Sequence, residues 1–88
     1  MLFEWDDEKE KTNFKKHGVH FETAKLVFND ENRIEFYDGT HSAAEDRYQT
    51  IGMVNRILFV VYTERRNYIR LISARMATPQ ERRIYYDR

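Results

Sequence analysis

The longest apolar run in the chain, Ile57-Leu58-Phe59-Val60-Val61-Tyr62, is followed by the charged segment Glu64-Arg65-Arg66-Asn67 and then by a second run, Tyr68 to Arg75. This pattern predicts a β-hairpin in the middle of a sheet. In the first arm Ile57, Phe59 and Val61 share one face and Leu58, Val60 and Tyr62 the other, so both faces should be covered and this should be the central strand. In the second arm strict alternation sets Ile69, Leu71 and Ser73 on one face and Tyr68, Arg70 and Ile72 on the other. One face is then dry and the other carries charge, and chemistry is expected on the charged face or at the ends of the hairpin.

Around this hairpin the pattern predicts shorter elements. Met1 to Trp5 reads as an edge strand. Asp6 or Asp7 then caps a helix with acidic residues in its first turn, Lys15, Lys16 and His17 in its last, Phe14 toward the core, and Gly18 as its stop. Phe21, Ala24, Val27 and Phe28 predict a second short helix, ended by Asn29-Asp30-Glu31-Asn32. Arg33 to Asp38 is a strand with Ile34 and Phe36 inward, residues 39 to 44 are a loop, Arg47 to Val54 is a strand, and Asn55-Arg56 is a tight turn into the hairpin. Thr78-Pro79-Gln80-Glu81 opens a last helix through a Thr cap, a proline at the first position and a glutamate three residues after the cap. The expected fold is α+β: an antiparallel sheet of a short N-terminal strand plus a four-stranded meander, with two N-terminal helices and one C-terminal helix.

Length and composition narrow the picture. Eighty-eight residues make one domain, 1–88, with a modest core. There is no cysteine, so a disulfide framework and a thiolate metal site are excluded, in keeping with a cytoplasmic protein. No apolar stretch approaches the roughly 20 residues of a membrane span, and the acidic start does not resemble a signal peptide. The net charge of zero hides a division: residues 1 to 45 hold six Lys or Arg against eleven Asp or Glu, whereas residues 46 to 88 hold nine, all arginine, against four. An arginine-only basic half suits bidentate grip on phosphate or carboxylate, although surface salt bridges would use the same residues.

Particular residues then carry a resemblance. Trp5-Asp6, Asn13 with Lys16-His17-Gly18-Val19, Phe21-Glu22 with Ala24 and Phe28-Asn29-Asp30, Glu45-Asp46-Arg47, Gly52, Val61-Tyr62-Thr63-Glu64-Arg65, Ile69-Arg70, Ile72-Ser73-Ala74-Arg75 and Glu81-Arg82-Arg83-Tyr85 together resemble the BrnT toxins across nearly the whole chain. The resemblance implies a compact RelE-like fold and a ribonuclease toxin of a type II toxin–antitoxin pair. It also implies a BrnA-like antitoxin, through which alone the toxin would meet operon DNA, an RNA substrate, and no membrane association.

RelE-like enzymes cleave RNA without metal or other cofactor, by attack of a ribose 2′-hydroxyl on the adjacent phosphate, which calls for cations and proton-transfer groups. The catalytic candidates are Arg75, Arg65, Arg47, Glu45, His17 and Tyr85, with Lys16, Arg66 and Arg70 as RNA-binding candidates. The meander gathers His41, Glu45, Arg47, Arg65 and Arg66 at one end of the sheet and Asn55, Arg56 and Arg75 at the other, and the sequence does not choose between them. Arg75 also suits a salt bridge with Glu81, Glu45 suits orienting Arg47, and Arg66 suits a solvated turn. His17 suits a helix C-cap, and Tyr85 or Tyr86 suits the core, as does Trp5. His17, His20 and His41 lack the spacing of a metal site. The alternative function is a non-catalytic subunit whose arginine face binds antitoxin or RNA.

Overall fold

The computed structural model describes residues 1–41 and 45–87; the 39 to 44 loop falls partly outside them, and the side chain of His41 does too. Five strands form one sheet: β1 (Leu2–Glu4), β2 (Ile34–Tyr37), β3 (Arg47–Val54), β4 (Arg56–Arg65) and β5 (Tyr68–Met76), in the order β1-β5-β4-β3-β2. The four-stranded meander is as expected, and its central strand is β4. Leu58, Val60 and Tyr62 pack beneath Val19, Phe21, Ala24 and Val27 on one face. On the other, Ile57 and Phe59 meet Ile51, Ala77 and Tyr85.

The expectation of a wholly antiparallel sheet is corrected at its edge, since β1 runs parallel to β5, with Glu4 opposite Arg70. Three residues followed at once by a helix do not encode a direction. Here the direction is set by where the helix α1 (Asp7–His17) must lie, over the part of β5 beyond the end of β1. There α1 continues the edge with a side chain. Asn13 accepts from the Ala74 N–H at 3.0 Å and donates to the Ala74 carbonyl at 2.8 Å and the Val19 carbonyl at 3.1 Å. Its amide thus replaces the peptide that a longer β1 would have offered. Asn13, not Phe14, is the buried residue of α1; Phe14 lies outside, stacked on His20 with ring centroids 3.7 Å apart. Asp6 is the N-cap, accepting from the N–H groups of Glu8 and Lys9, and Gly18 ends the helix at φ +71°.

The second helix is shorter than expected: α2 (Phe21–Ala24) tightens into a 3-10 turn over Lys25–Asn29. At three residues per turn Phe21, Ala24 and Val27 stack on one line, and all three are fully buried. Gly52 admits Val27, because a Cβ there would meet the Val27 Cβ at 2.9 Å. The C-terminal helix α3 (Pro79–Asp87) starts with the expected reciprocal cap, Glu81 N–H to Thr78 Oγ1 and Thr78 N–H to Glu81 Oε1. It covers only the Ile51, Ile57 and Phe59 end of its face, so Phe36, expected inward, is 37% exposed.

Candidate active site

The strongest departure from simple alternation lies in β5. Val61 pairs with Ser73 and Tyr62 with Leu71, which leaves Ile72 as an extra residue without a partner on β4. Such a bulge reverses the side-chain parity beyond it. Alternation would set Arg70 and Arg75 on opposite faces; the bulge sets both on the face that α3 leaves half open, while Ile69, Leu71 and Ala74 stay in the core together. The register completes the set: Arg70 and Arg47 both stand opposite Thr63, Arg75 stands opposite Phe59, and Arg65 is two residues beyond Thr63 on β4. Four arginines from three strands therefore share one face.

These arginines are held in place. Arg65 donates from Nε and Nη2 to the two oxygens of Glu45, at 3.0 and 2.9 Å. Arg70 donates to Glu4 at 3.2 Å. Arg75 donates to both oxygens of Glu81, at 2.8 and 2.9 Å, and to the Met76 carbonyl, with its guanidinium 4.2 Å above the Phe59 ring. A guanidinium has five N–H donors, so Arg65, Arg70 and Arg75 each keep some for a ligand. Hydrogen bonds from Arg65, against an opposing effect of burial, hold the Glu45 carboxyl below its ordinary value, and the charges of Arg65, Arg70 and Arg47 add to this. A carboxylate so placed stays ionised near neutral pH, which makes it a positioning group for Arg65 and a weak proton acceptor. Burial pushes the Glu81 carboxyl up, but its bonds from Arg75 and Thr78 outweigh that and hold it down.

The separation of the two sheet ends remains real. Arg75 and Arg65 are six residues apart in register, about 20 Å along β4, too far to grip one phosphate. Arg47, Arg65, Arg70 and Glu45 form one group; Arg75 and Glu81 form another. Between Arg47 and Arg70 lies Thr63, fully buried, and its Oγ1 is the buried side-chain polar atom that lacks a hydrogen-bond partner among the described residues.

His17 and Lys16 stand apart from these groups. Together with Thr12, Asn13, Ile72 and Ser73 they line a cleft of about 320 Å³ between α1 and the bulge of β5. Ser73, opposite Val61, belongs to the arginine face as well, so the cleft and the face meet there. Gly18 rather than His17 supplies the C-cap bond, to the Phe14 carbonyl. Arg66 is an exposed turn residue at φ +55°. Tyr85 is not on the arginine surface as a free hydroxyl: it is buried, and it donates to Asp30 at 2.5 Å. Asp30 also accepts from the Met53 N–H, so Tyr85 fastens α3 to β3. Trp5 packs edge-on against Phe21 in the core. No group of three or more His, Asp or Glu able to hold a metal ion occurs among the described residues, and no helix among them is long and apolar enough to cross a membrane.

Residues 5–81 match the family described as the ribonuclease toxin BrnT of type II toxin–antitoxin systems. The chain belongs to the BrnT family. Curated proteins show no match to it. Membership makes the chain a ribonuclease toxin with a cognate antitoxin, and the matched span contains His17, Glu45, Thr63, all four arginines of the open face, and Glu81. Sequence reasoning missed Thr63, Asn13 and Glu4. Of these only Thr63 had a signal, as a polar residue directly after the apolar run 57–62.

Proposed function

We propose that this BrnT-family chain is a metal-independent endoribonuclease that works on the arginine face of its sheet. The observation that carries the proposal is the bulge at Ile72, which turns Arg70 and Arg75 toward the same side as Arg47 and Arg65. In the reaction a 2′-oxygen attacks the adjacent phosphorus, the P–O5′ bond breaks, and the products are a 2′,3′-cyclic phosphate and a 5′-hydroxyl. A base takes the 2′ proton, an acid supplies one to O5′, and cations stabilise the crowded dianionic phosphorane. Arginine suits the last task because its fork is always charged and pre-oriented, here by Glu45, Glu4 and Glu81. His17 is the proton-transfer candidate, with Lys16 beside it, because their cleft opens at Ser73 between the levels of Arg70 and Arg75. Arg66 contributes to RNA attraction from the turn.

The overall arrangement suits a single RelE-like domain acting in the cytoplasm. A BrnA-like antitoxin neutralises it, and that antitoxin, not the toxin, contacts the operon's DNA. A second reading, a subunit that binds without cleaving, draws on one observation: Arg65, Arg70 and Arg75 already have carboxylate partners. RNA incubated in EDTA with the purified chain separates the two. Fragments support the nuclease; RNA that is bound but intact supports the binding subunit.

A further inference from the structure

A second basic surface lies at the far end of the sheet from Glu45 and Arg65. Met53, Ile57, Met76 and Tyr86 line a groove of about 270 Å³ between the β3–β4 turn and α3, with Arg56 and Arg82 as its charged members. Met76 is 41% exposed and Tyr86 64%, so substantial apolar surface faces solvent there. The charge of this groove differs in kind from that of the open face. Arg65, Arg70 and Arg75 are each matched by a glutamate, whereas Arg56 and Arg82 pair with no carboxylate among the described residues. Of the acids on neighbouring elements, Glu81 is engaged with Arg75 and Thr78, and Asp30 with Met53 and Tyr85.

We propose that this groove seats a segment of the cognate antitoxin carrying an apolar anchor flanked by Asp or Glu. Methionines form an adaptable apolar lining that accepts a side chain, and the two unmatched guanidiniums complement the carboxylates beside it. A nucleic acid would satisfy the arginines but leave the methionine lining without a partner, which favours the protein. Met76 follows Arg75 and Arg82 follows Glu81, so an occupant adjoins the Arg75 end of the open face and brings the antitoxin to its border. The inference rests on the antitoxin that the family implies and is independent of the catalytic roles proposed above.

The test measures affinity for the purified cognate antitoxin, at two salt concentrations, using Arg56→Glu and Tyr86→Ala with Lys11→Glu on α1 as a distant control. Each groove variant should weaken binding at least tenfold, the charge reversal more at low salt, while the control stays within threefold. Melting curves verify folding, and Arg56→Gln replaces any variant that melts early. Wild-type affinity in both groove variants overturns the proposal. So does a loss of RNA binding with antitoxin binding intact, which would assign the groove to RNA. A wild-type chain that leaves RNA uncut would refute the nuclease reading and leave this one standing.

Discussion

Replacing Asn13 by leucine tests how the sheet edge is completed. Leucine has the same branching and the same number of heavy atoms, with bulkier methyl groups that add some overpacking, and three buried backbone groups lose their partner: the N–H and carbonyl of Ala74 and the carbonyl of Val19. An unsatisfied buried group costs about 1–3 kcal/mol. The three share one site and one neighbour, so their costs will not simply add, and about 3–5 kcal/mol is the expected total. For a chain of this size the whole stability is roughly 4–13 kcal/mol, and each kcal/mol moves the melting point by about 4–8 °C. Thermal and urea unfolding followed by circular dichroism should therefore show a fall of more than about 12 °C. Hydrogen exchange at Ala74 should quicken more than at Val60, which lies deeper in the sheet. A leucine variant that melts within about 4 °C of wild type would refute the account of the edge, and with it the reason for the position of α1 and its Lys16–His17 cleft.

Other consequences follow from the arginine face. Arg75→Lys keeps the charge but loses the fork to Glu81, and should lower RNA cleavage by about 10²–10³-fold with the fold intact; replacing Arg66 should change it by less than about tenfold. Full activity in Arg75→Lys with none in Arg65→Lys would move the site to the Glu45 group. Thr63→Val should leave stability unchanged or slightly higher, since the hydroxyl has no partner among the described residues to lose; a fall above about 2 kcal/mol in urea titration would mean that it has one. Glu81 is depressed in the folded state, so its pairing with Arg75 contributes stability above the ordinary carboxylate value of 4.5, and that contribution is lost as the pH falls through the lower folded value. The stability gap between wild type and Glu81→Gln should accordingly narrow between about pH 6 and pH 3, and a gap that widens on acidification would contradict the assigned sign.

Much of the fold was legible because its strongest signals are local. The double-sided apolar run 57–62 identifies a strand covered on both faces, and Thr78-Pro79-Gln80-Glu81 specifies a helix start whose bonds are all within four residues. The rest depends on partners distant in sequence. Ile72-Ser73 reads as ordinary strand, with no glycine or proline to mark a bulge, yet that one residue decides whether Arg70 and Arg75 share a face. Asn13 looks like a solvent residue beside Phe14 because the backbone it pairs with on both sides, that of Ala74, lies 61 residues away on β5. The candidate arginines could be picked out by residue type and position, whereas their common face, their carboxylate partners and the burial of Tyr85 required the register.

The most direct test of the central claim is the chemistry of the cut ends. The purified chain, free of antitoxin and in EDTA, is given an RNA oligonucleotide and the same oligonucleotide with every 2′-hydroxyl methylated, and the products are weighed by mass spectrometry. Attack by the 2′-oxygen predicts fragments that end in a cyclic or 3′ phosphate opposite a 5′-hydroxyl, no cleavage of the methylated strand, and a rate that falls with added salt as phosphate contacts are screened. Fragments with a 5′ phosphate, cleavage of the methylated strand, or RNA left whole would contradict it.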